Sequence, residues 1–147
     1  MDTPLYLLSD TARLLRRAFN ARVRQLGMTS VQARLLLSLS KAEGENQGFY
    51  AERLDVEPIT LCRLIDRMED GGLLERRRDP ADRRAWRVHL TERSREQLDA
   101  VRASLVGLED DVLKGMNPAQ RDALTELLEN IRTNIGEART AEGVSNG

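Results

Sequence analysis

Three hydrogen-bonding side chains recur on one side of the segment that begins at Pro58. Thr60, Arg63 and Arg67 are spaced at i, i+3 and i+7, which places them on one face of a helix. Arginine donates paired hydrogen bonds to guanine in the major groove of DNA, and threonine contacts a phosphate or a thymine methyl group. A second face of the segment is apolar and is expected to pack: Leu61, Leu64, Ile65 and Met68.

The same spacing also fits a helix whose polar face is merely solvated. Asp66, Glu69 and Asp70 lie close to the two arginines in the sequence and could pair with them along the helix surface. The arginines would then have no partner outside the chain. The segment that follows the helix helps to distinguish these two interpretations.

A charged turn follows, with the sequence Asp79-Pro80-Ala81-Asp82-Arg83-Arg84. It presents two arginines between short strands, with nothing apolar beside them to bury. Arginine at such a tip can enter a narrow minor groove, where the negative potential of DNA is strongest. Asp82 would repel phosphate if unpaired, so we expect it to hold a neighbouring arginine in position. The turn therefore favours DNA binding, with Arg83 and Arg84 as further contacts.

Charge is unevenly distributed along the 147 residues. The net charge is −1, but the balance is +1 over residues 1–57, +3 over 58–95 and −5 over 96–147. The chain has 21 arginines and 2 lysines, a ratio that suits phosphates and guanine edges but would also follow from genome base composition. Positive charge is thus concentrated around the helix and turn.

Hydrophobic periodicity predicts the elements that position these residues. Apolar side chains at steps of three and four predict helices at about 5–26, 29–41, 49–54, from 58 to the pair Gly71-Gly72, 92–115 and 118–139. Alternating apolar residues predict strands at 74–78 and 85–90, and residues 140–147 are expected to form a disordered tail. The predicted fold class is mainly α with a small β-hairpin wing: a winged helix-turn-helix lobe plus terminal helices. In that arrangement the helix from Pro58 would enter the major groove.

These segments resemble the DNA-binding region of MarR-family transcriptional regulators. The similarity is carried by 50–54, 60–69 and 72–76, and most specifically by the wing 79–84 followed by Val88-His89-Leu90-Thr91-Glu92. Two positions depart from the family pattern. Tyr50 stands where the family usually has Leu, and Glu57-Pro58 stands where a small polar residue commonly begins the recognition helix.

The resemblance implies one MarR-like domain over 1–139, with a winged lobe at about 29–91. It implies a homodimer formed through the helices at 5–26, 92–115 and 118–139, bound to a palindromic operator on double-stranded DNA. It further implies a repressor that releases DNA when a small aromatic or lipophilic effector binds between the lobes and the dimer helices.

Two further expectations concern assembly and effector binding. The apolar stripes of the three terminal helices independently favour a dimer, although they could close into an intramolecular bundle. Effector contacts would lie among the first, second and fifth helices, near Arg16, Phe19 and Met28.

The remaining reactive side chains predict neither catalysis nor a metal site. Cys62 and His89 are the single cysteine and histidine, so no disulfide, zinc site or cofactor is expected. Cys62 is either a small buried apolar residue or an oxidant sensor, and His89 is either exposed or near a phosphate. We expect no enzyme, no membrane span or secretory signal, and a cytoplasmic location. The alternative function is a winged-helix protein-interaction module without DNA binding.

Overall fold

A computed structural model describes the backbone of residues 1–145 and the side chains of residues 1–136. The elements in chain order are α1 (Pro4–Gln25), α2 (Ser30–Lys41), α3 (Gln47–Leu54), α4 (Pro58–Asp70), β1 (Leu74–Arg78), β2 (Trp86–Leu90), α5 (Glu92–Val112) and α6 (Pro118–Ser145). This order confirms the mainly α fold with a β-hairpin wing. Helix α6 extends into the segment predicted as a tail at 140–147, whose last two residues lie outside the described residues.

Side-chain caps fix several helix starts. Helix α3 begins two residues earlier than predicted because Asn46 caps it, accepting a hydrogen bond from the Phe49 amide at 2.9 Å. Thr29 and Gln32 form a reciprocal capping box at the start of α2. Helix α4 differs, since Pro58 occupies its first turn and Glu57 provides no side-chain cap.

Helices α1, α2, α3, α4 and α5 and the hairpin share one apolar core. Its fully buried members include Val23 of α1, Leu36 of α2, Ile65 of α4, Val88 of β2 and Val101 of α5. Burial of such aliphatic side chains contributes roughly 1.5–3 kcal/mol each. The core thus fixes the orientation of α4, whose other face remains exposed.

The hairpin is antiparallel, with a register that runs from Leu74 opposite Leu90 to Arg78 opposite Trp86. A loop covers the other edge of β2: the Gly44 amide donates to the Val88 carbonyl, and the Val88 amide donates to the Glu45 carbonyl, both at 3.0 Å. Gly44 has a φ of +83°, and a Cβ atom there would lie 3.2 Å from the His89 ring. A glycine therefore lets this loop approach β2 closely.

The chain divides into two compact units, residues 1–108 and 109–147. Helix α1 belongs to the first unit, where its Phe19 and Val23 are part of the core. In the second unit, the Arg121 guanidinium donates to the carbonyl groups of Met116 at 3.1 Å and Leu113 at 3.2 Å. The boundary falls within α5, and the predicted single domain over 1–139 stays a prediction. Among the described helices, none combines the length and apolar character needed to span a membrane.

The Glu43 carboxylate joins the loop to β2 and α5. It accepts hydrogen bonds from the Leu90 amide at 3.0 Å and from Arg95 at 3.1 Å, and it lies 3.7 Å from Nδ1 of His89. Burial disfavours the charge on Glu43, but the Leu90 amide, Arg95 and His89 outweigh this effect and lower its pKa below the ordinary 4.5.

We expect E43Q to be less stable than the wild type at neutral pH by about 1 kcal/mol, because it loses a charge-assisted hydrogen bond. A lowered pKa in the folded state stabilises the fold above the unfolded-state pKa, and this contribution is lost as pH falls through the folded-state pKa. Urea unfolding at about pH 7 and about pH 3 should therefore show the difference shrinking in acid. E45Q, in the same loop, is the control, and an equal difference at both pH values would contradict the prediction.

Candidate nucleic-acid interface

Helix α4 has the two faces that its sequence predicts. Leu61, Leu64, Ile65 and Met68 are buried, and the predicted contact residues Thr60, Arg63 and Arg67 are exposed. Since the buried face is fixed in the core, the exposed face has a defined direction relative to the rest of residues 1–108.

Two of the three acidic residues of α4 pair with an arginine of strand β1 and not with the arginines of α4. Asp66 Oδ1 lies 2.6 Å from Nη2 of Arg76 in β1, and Glu69 Oε1 lies 3.1 Å from Nη1 of the same guanidinium. Glu69 also accepts a hydrogen bond from the Arg76 amide at 2.8 Å. This pairing argues against the solvated-helix alternative, because Asp66 and Glu69 are two of the three carboxylates that it required.

Arg76 connects three elements. Besides the two α4 carboxylates, its guanidinium donates to Gln47 Oε1 in α3 at 2.7 Å and to the Cys62 carbonyl at 3.4 Å. Burial lowers the pKa of Arg76, but its hydrogen bonds to the carboxylates of Asp66 and Glu69 exceed that effect and leave the pKa raised. The side chain is only 14% exposed and stays charged.

Sequence reasoning missed Arg76 as a site residue. The signal that could have identified it is the strand period, since Arg76 lies two positions after the buried Leu74 and so shares its face. An arginine on the inner face of a strand needs carboxylate partners, and the preceding helix supplies them.

At the wing tip, the two predicted arginines are exposed and the aspartates shape the turn. Asp82 Oδ1 accepts a hydrogen bond from the backbone amide of Arg84 at 2.9 Å. Asp79 accepts one from the Ala81 amide at 2.8 Å and one from Arg87 Nε at 2.9 Å, and these two interactions lower the pKa of Asp79. Asp82 thus contacts a neighbouring arginine through that residue's backbone amide, and its predicted orienting role stays a prediction. Asp82 holds the Arg84 backbone, and the carboxylate–guanidinium pair is Asp79 with Arg87.

Four exposed arginines remain available for an external partner. Within the residues whose side chains are described, no hydrogen bond or ion pair engages the guanidinium groups of Arg63, Arg67, Arg83 and Arg84. Two belong to α4 and two to the wing. Such unpaired guanidinium groups suit phosphates and base edges as acceptors.

The other residues that the sequence analysis considered, a cysteine, a histidine and the three predicted effector contacts, differ in how far they are buried. Cys62 is half-buried, with Sγ 4.0 Å from Arg76 Nη2. His89 is half-buried and lies against Gly44 and Glu43, so its ring faces the loop. Phe19 and Met28 are buried in the core, whereas Arg16 is exposed on α1.

The structure contains no cluster of three potential metal ligands within the described part of the chain. The predicted effector role of Arg16, Phe19 and Met28 stays a prediction. A ligand that contacts Phe19 and Met28 would have to enter the packed core.

The family model described as the MarR family matches residues 28–86, which include α2, α3, α4 and most of the wing. Over these residues the chain is similar to the MarR family. Its structure is similar to that of a MarR-family transcriptional regulator from Silicibacter pomeroyi, with a TM-score of 0.76 and 28% identity over 88% of each chain. It is also similar to a MarR transcriptional regulator from Methanosarcina mazei Go1, with a TM-score of 0.77 and 25% identity over 88% of this chain and 94% of that one.

A third MarR-like structure contains nucleic acid. It is the transcriptional repressor CouR bound to a 23-mer DNA duplex, with a TM-score of 0.75 and 27% identity over 88% of this chain and 92% of that one. The fold of the present chain is thus that of MarR-family transcriptional regulators.

We expect R76Q to lower the free energy of unfolding by about 2 kcal/mol, because it removes donors from Asp66 and Glu69 in a half-buried site. R77Q is the matched control, since the neighbouring Arg77 is exposed and pairs only with Glu75 at 3.3 Å; its effect should stay within about 0.5 kcal/mol. Urea denaturation measures both variants. Equal stability of R76Q and R77Q would show that Arg76 does not hold α4 to the wing strand.

Proposed function

We propose that this chain is a sequence-specific regulator of transcription that binds double-stranded DNA and represses as a homodimer on a palindromic operator. The observation that carries the proposal is the set of four exposed, unpaired guanidinium groups on α4 and the wing. The acidic residues beside them, Asp66, Glu69 and Asp79, are occupied by Arg76 and Arg87.

The two arginine pairs suit different grooves. Arg63 and Arg67 lie one helical turn apart on α4, where each can donate two hydrogen bonds to the O6 and N7 atoms of guanine, with Thr60 at a phosphate or thymine methyl. Arg83 and Arg84 lie on a narrow turn that fits a minor groove. Asp82 supports this use of Arg84 because it fixes the backbone from which the side chain extends.

Exposed apolar side chains on the terminal helices support the homodimer. Large apolar residues of α1 are 44% to 74% exposed: Leu5, Tyr6, Leu7, Leu14 and Leu15. A second set, on α6, is 38% to 60% exposed: Leu127, Leu128, Ile131 and Ile135. Exposed apolar side chains of this kind, on each of the two helices, are typical of an interface in a protein that remains in solution. A two-fold axis would place the recognition helices about 34 Å apart and require an inverted repeat.

Regulation by a small aromatic or lipophilic effector is part of the proposal, and it rests on the family resemblance. Such a regulator would act in the cytoplasm. A shift in unfolding temperature on addition of candidate aromatic acids to the purified protein would test the effector. No shift across a broad panel of aromatic and lipophilic compounds would contradict it.

We expect R84A to bind operator DNA about tenfold more weakly and with a salt dependence reduced by about one unit of slope, because one minor-groove cation is lost. The operator is selected from a random duplex pool, and affinity is measured by gel shift at two salt concentrations with random DNA as competitor. R13A is the control, since Arg13 lies on α1 and pairs with Asp10. If the wild type shows no preference over random DNA, the interaction-module alternative replaces this proposal.

We expect the wild type to sediment at twice the single-chain mass of 16.6 kDa, and the double variant L128E/I131E to sediment as a monomer. Two buried carboxylates without partners would destabilise an apolar interface strongly. E126A, a polar position on the same helix, should remain dimeric. A wild-type mass of 16.6 kDa, or a dimeric L128E/I131E, would contradict the proposed interface.

A further inference from the structure

One exposed side chain of α4 is apolar. Ile59, the second residue of the helix, is 60% exposed, whereas the four packed residues of α4 are at most 6% exposed. Ile59 does not contribute to the core cluster or pack against it. Its side chain is therefore free to contact something outside the chain.

Ile59 continues the line of the unpaired arginines. It lies four residues before Arg63 and eight before Arg67, so the three share one side of the helix, with Ile59 about 6 Å nearer the N-terminus than Arg63. The N-terminal residues of a recognition helix contact base edges. Glu57 forms no side-chain cap at this end of α4, and Pro58 and Thr60 on either side of Ile59 are exposed.

The neighbours of Ile59 indicate which kind of partner it meets. On the exposed face it is flanked by Thr60 and Arg63, and no other large apolar side chain of α4 is exposed. A protein-docking surface would need a contiguous apolar patch. Ile59 is instead a single branched apolar side chain beside hydrogen-bond donors. Its chemical complement is a single methyl group beside hydrogen-bond acceptors.

We propose that Ile59 recognises the C5-methyl group of a thymine in each operator half-site, next to the guanine bound by Arg63. The thymine methyl is the apolar group that base pairs present in the major groove, where the other edges carry donors and acceptors. Isoleucine cannot satisfy those polar groups and would leave them desolvated. This inference rests on the proposed function and adds a base preference to it.

The test removes the methyl group alone. In the selected operator, each thymine is replaced in turn by deoxyuridine, which keeps the base pair and lacks only the C5-methyl group. At one thymine position, which occurs once in each half-site, the replacement should weaken binding of the wild-type protein about fourfold for each half-site changed. This is the effect expected for burial of one methyl group. I59A should bind the thymine operator more weakly by a similar factor and should not distinguish thymine from uracil at that position.

Two further variants separate recognition from general weakening. I59V keeps a branched apolar side chain and should retain the preference for thymine, while R84A should weaken binding to both operators equally. If no thymine is methyl-sensitive, or if I59A keeps the wild-type sensitivity, the assignment of Ile59 is overturned while specific DNA binding stands. If the random pool yields no operator, the proposed function and this inference both fail.

Discussion

The ion pairs of Arg76 are the interaction on which the proposed DNA-facing surface depends. Its side chain is only 14% exposed, and its guanidinium contacts Asp66 and Glu69 of α4 and Gln47 of α3. A half-buried cation is stable in this position because two carboxylates and an amide oxygen replace the water that it loses. Since β1 also leads into the wing, the same side chain sets the recognition helix and the wing relative to each other within residues 1–108.

In the wing, as around Arg76, some charged residues hold the structure together and others stay exposed. Asp79 accepts hydrogen bonds from Arg87 and from a backbone amide, and Asp82 accepts one from the Arg84 amide, so both aspartates shape the turn. Among the side chains that the structure describes, none pairs with the guanidinium groups of the two arginines at the tip. A net charge of −1 is therefore compatible with DNA binding, because the acids near the interface are engaged with structural arginines and do not face the ligand.

Side chains at the start of α5 donate hydrogen bonds to backbone carbonyls at the end of α4. The Thr91 hydroxyl donates to the Gly72 carbonyl at 2.8 Å, and Arg93 donates to the Gly71 carbonyl at 2.9 Å. Glu43 then connects α5 to the loop beside β2 through Arg95. Helix α4 is thus held at its C-terminal end by α5 and along its length by β1, and its first three residues, which include Ile59, are left exposed.

The sequence by itself determined the order of helices and strands and the exposed face of α4, because these follow from spacings of two to four residues. The position of Arg83 and Arg84 at a turn follows in the same way from the local sequence. Only the tertiary structure decided which charges pair. Arg76 and its partner Gln47 are 29 residues apart, and the contact of Asp82 is with the backbone amide of Arg84, a detail that the sequence did not specify. Such pairings depend on how packed elements bring distant side chains together, which local periodicity does not encode.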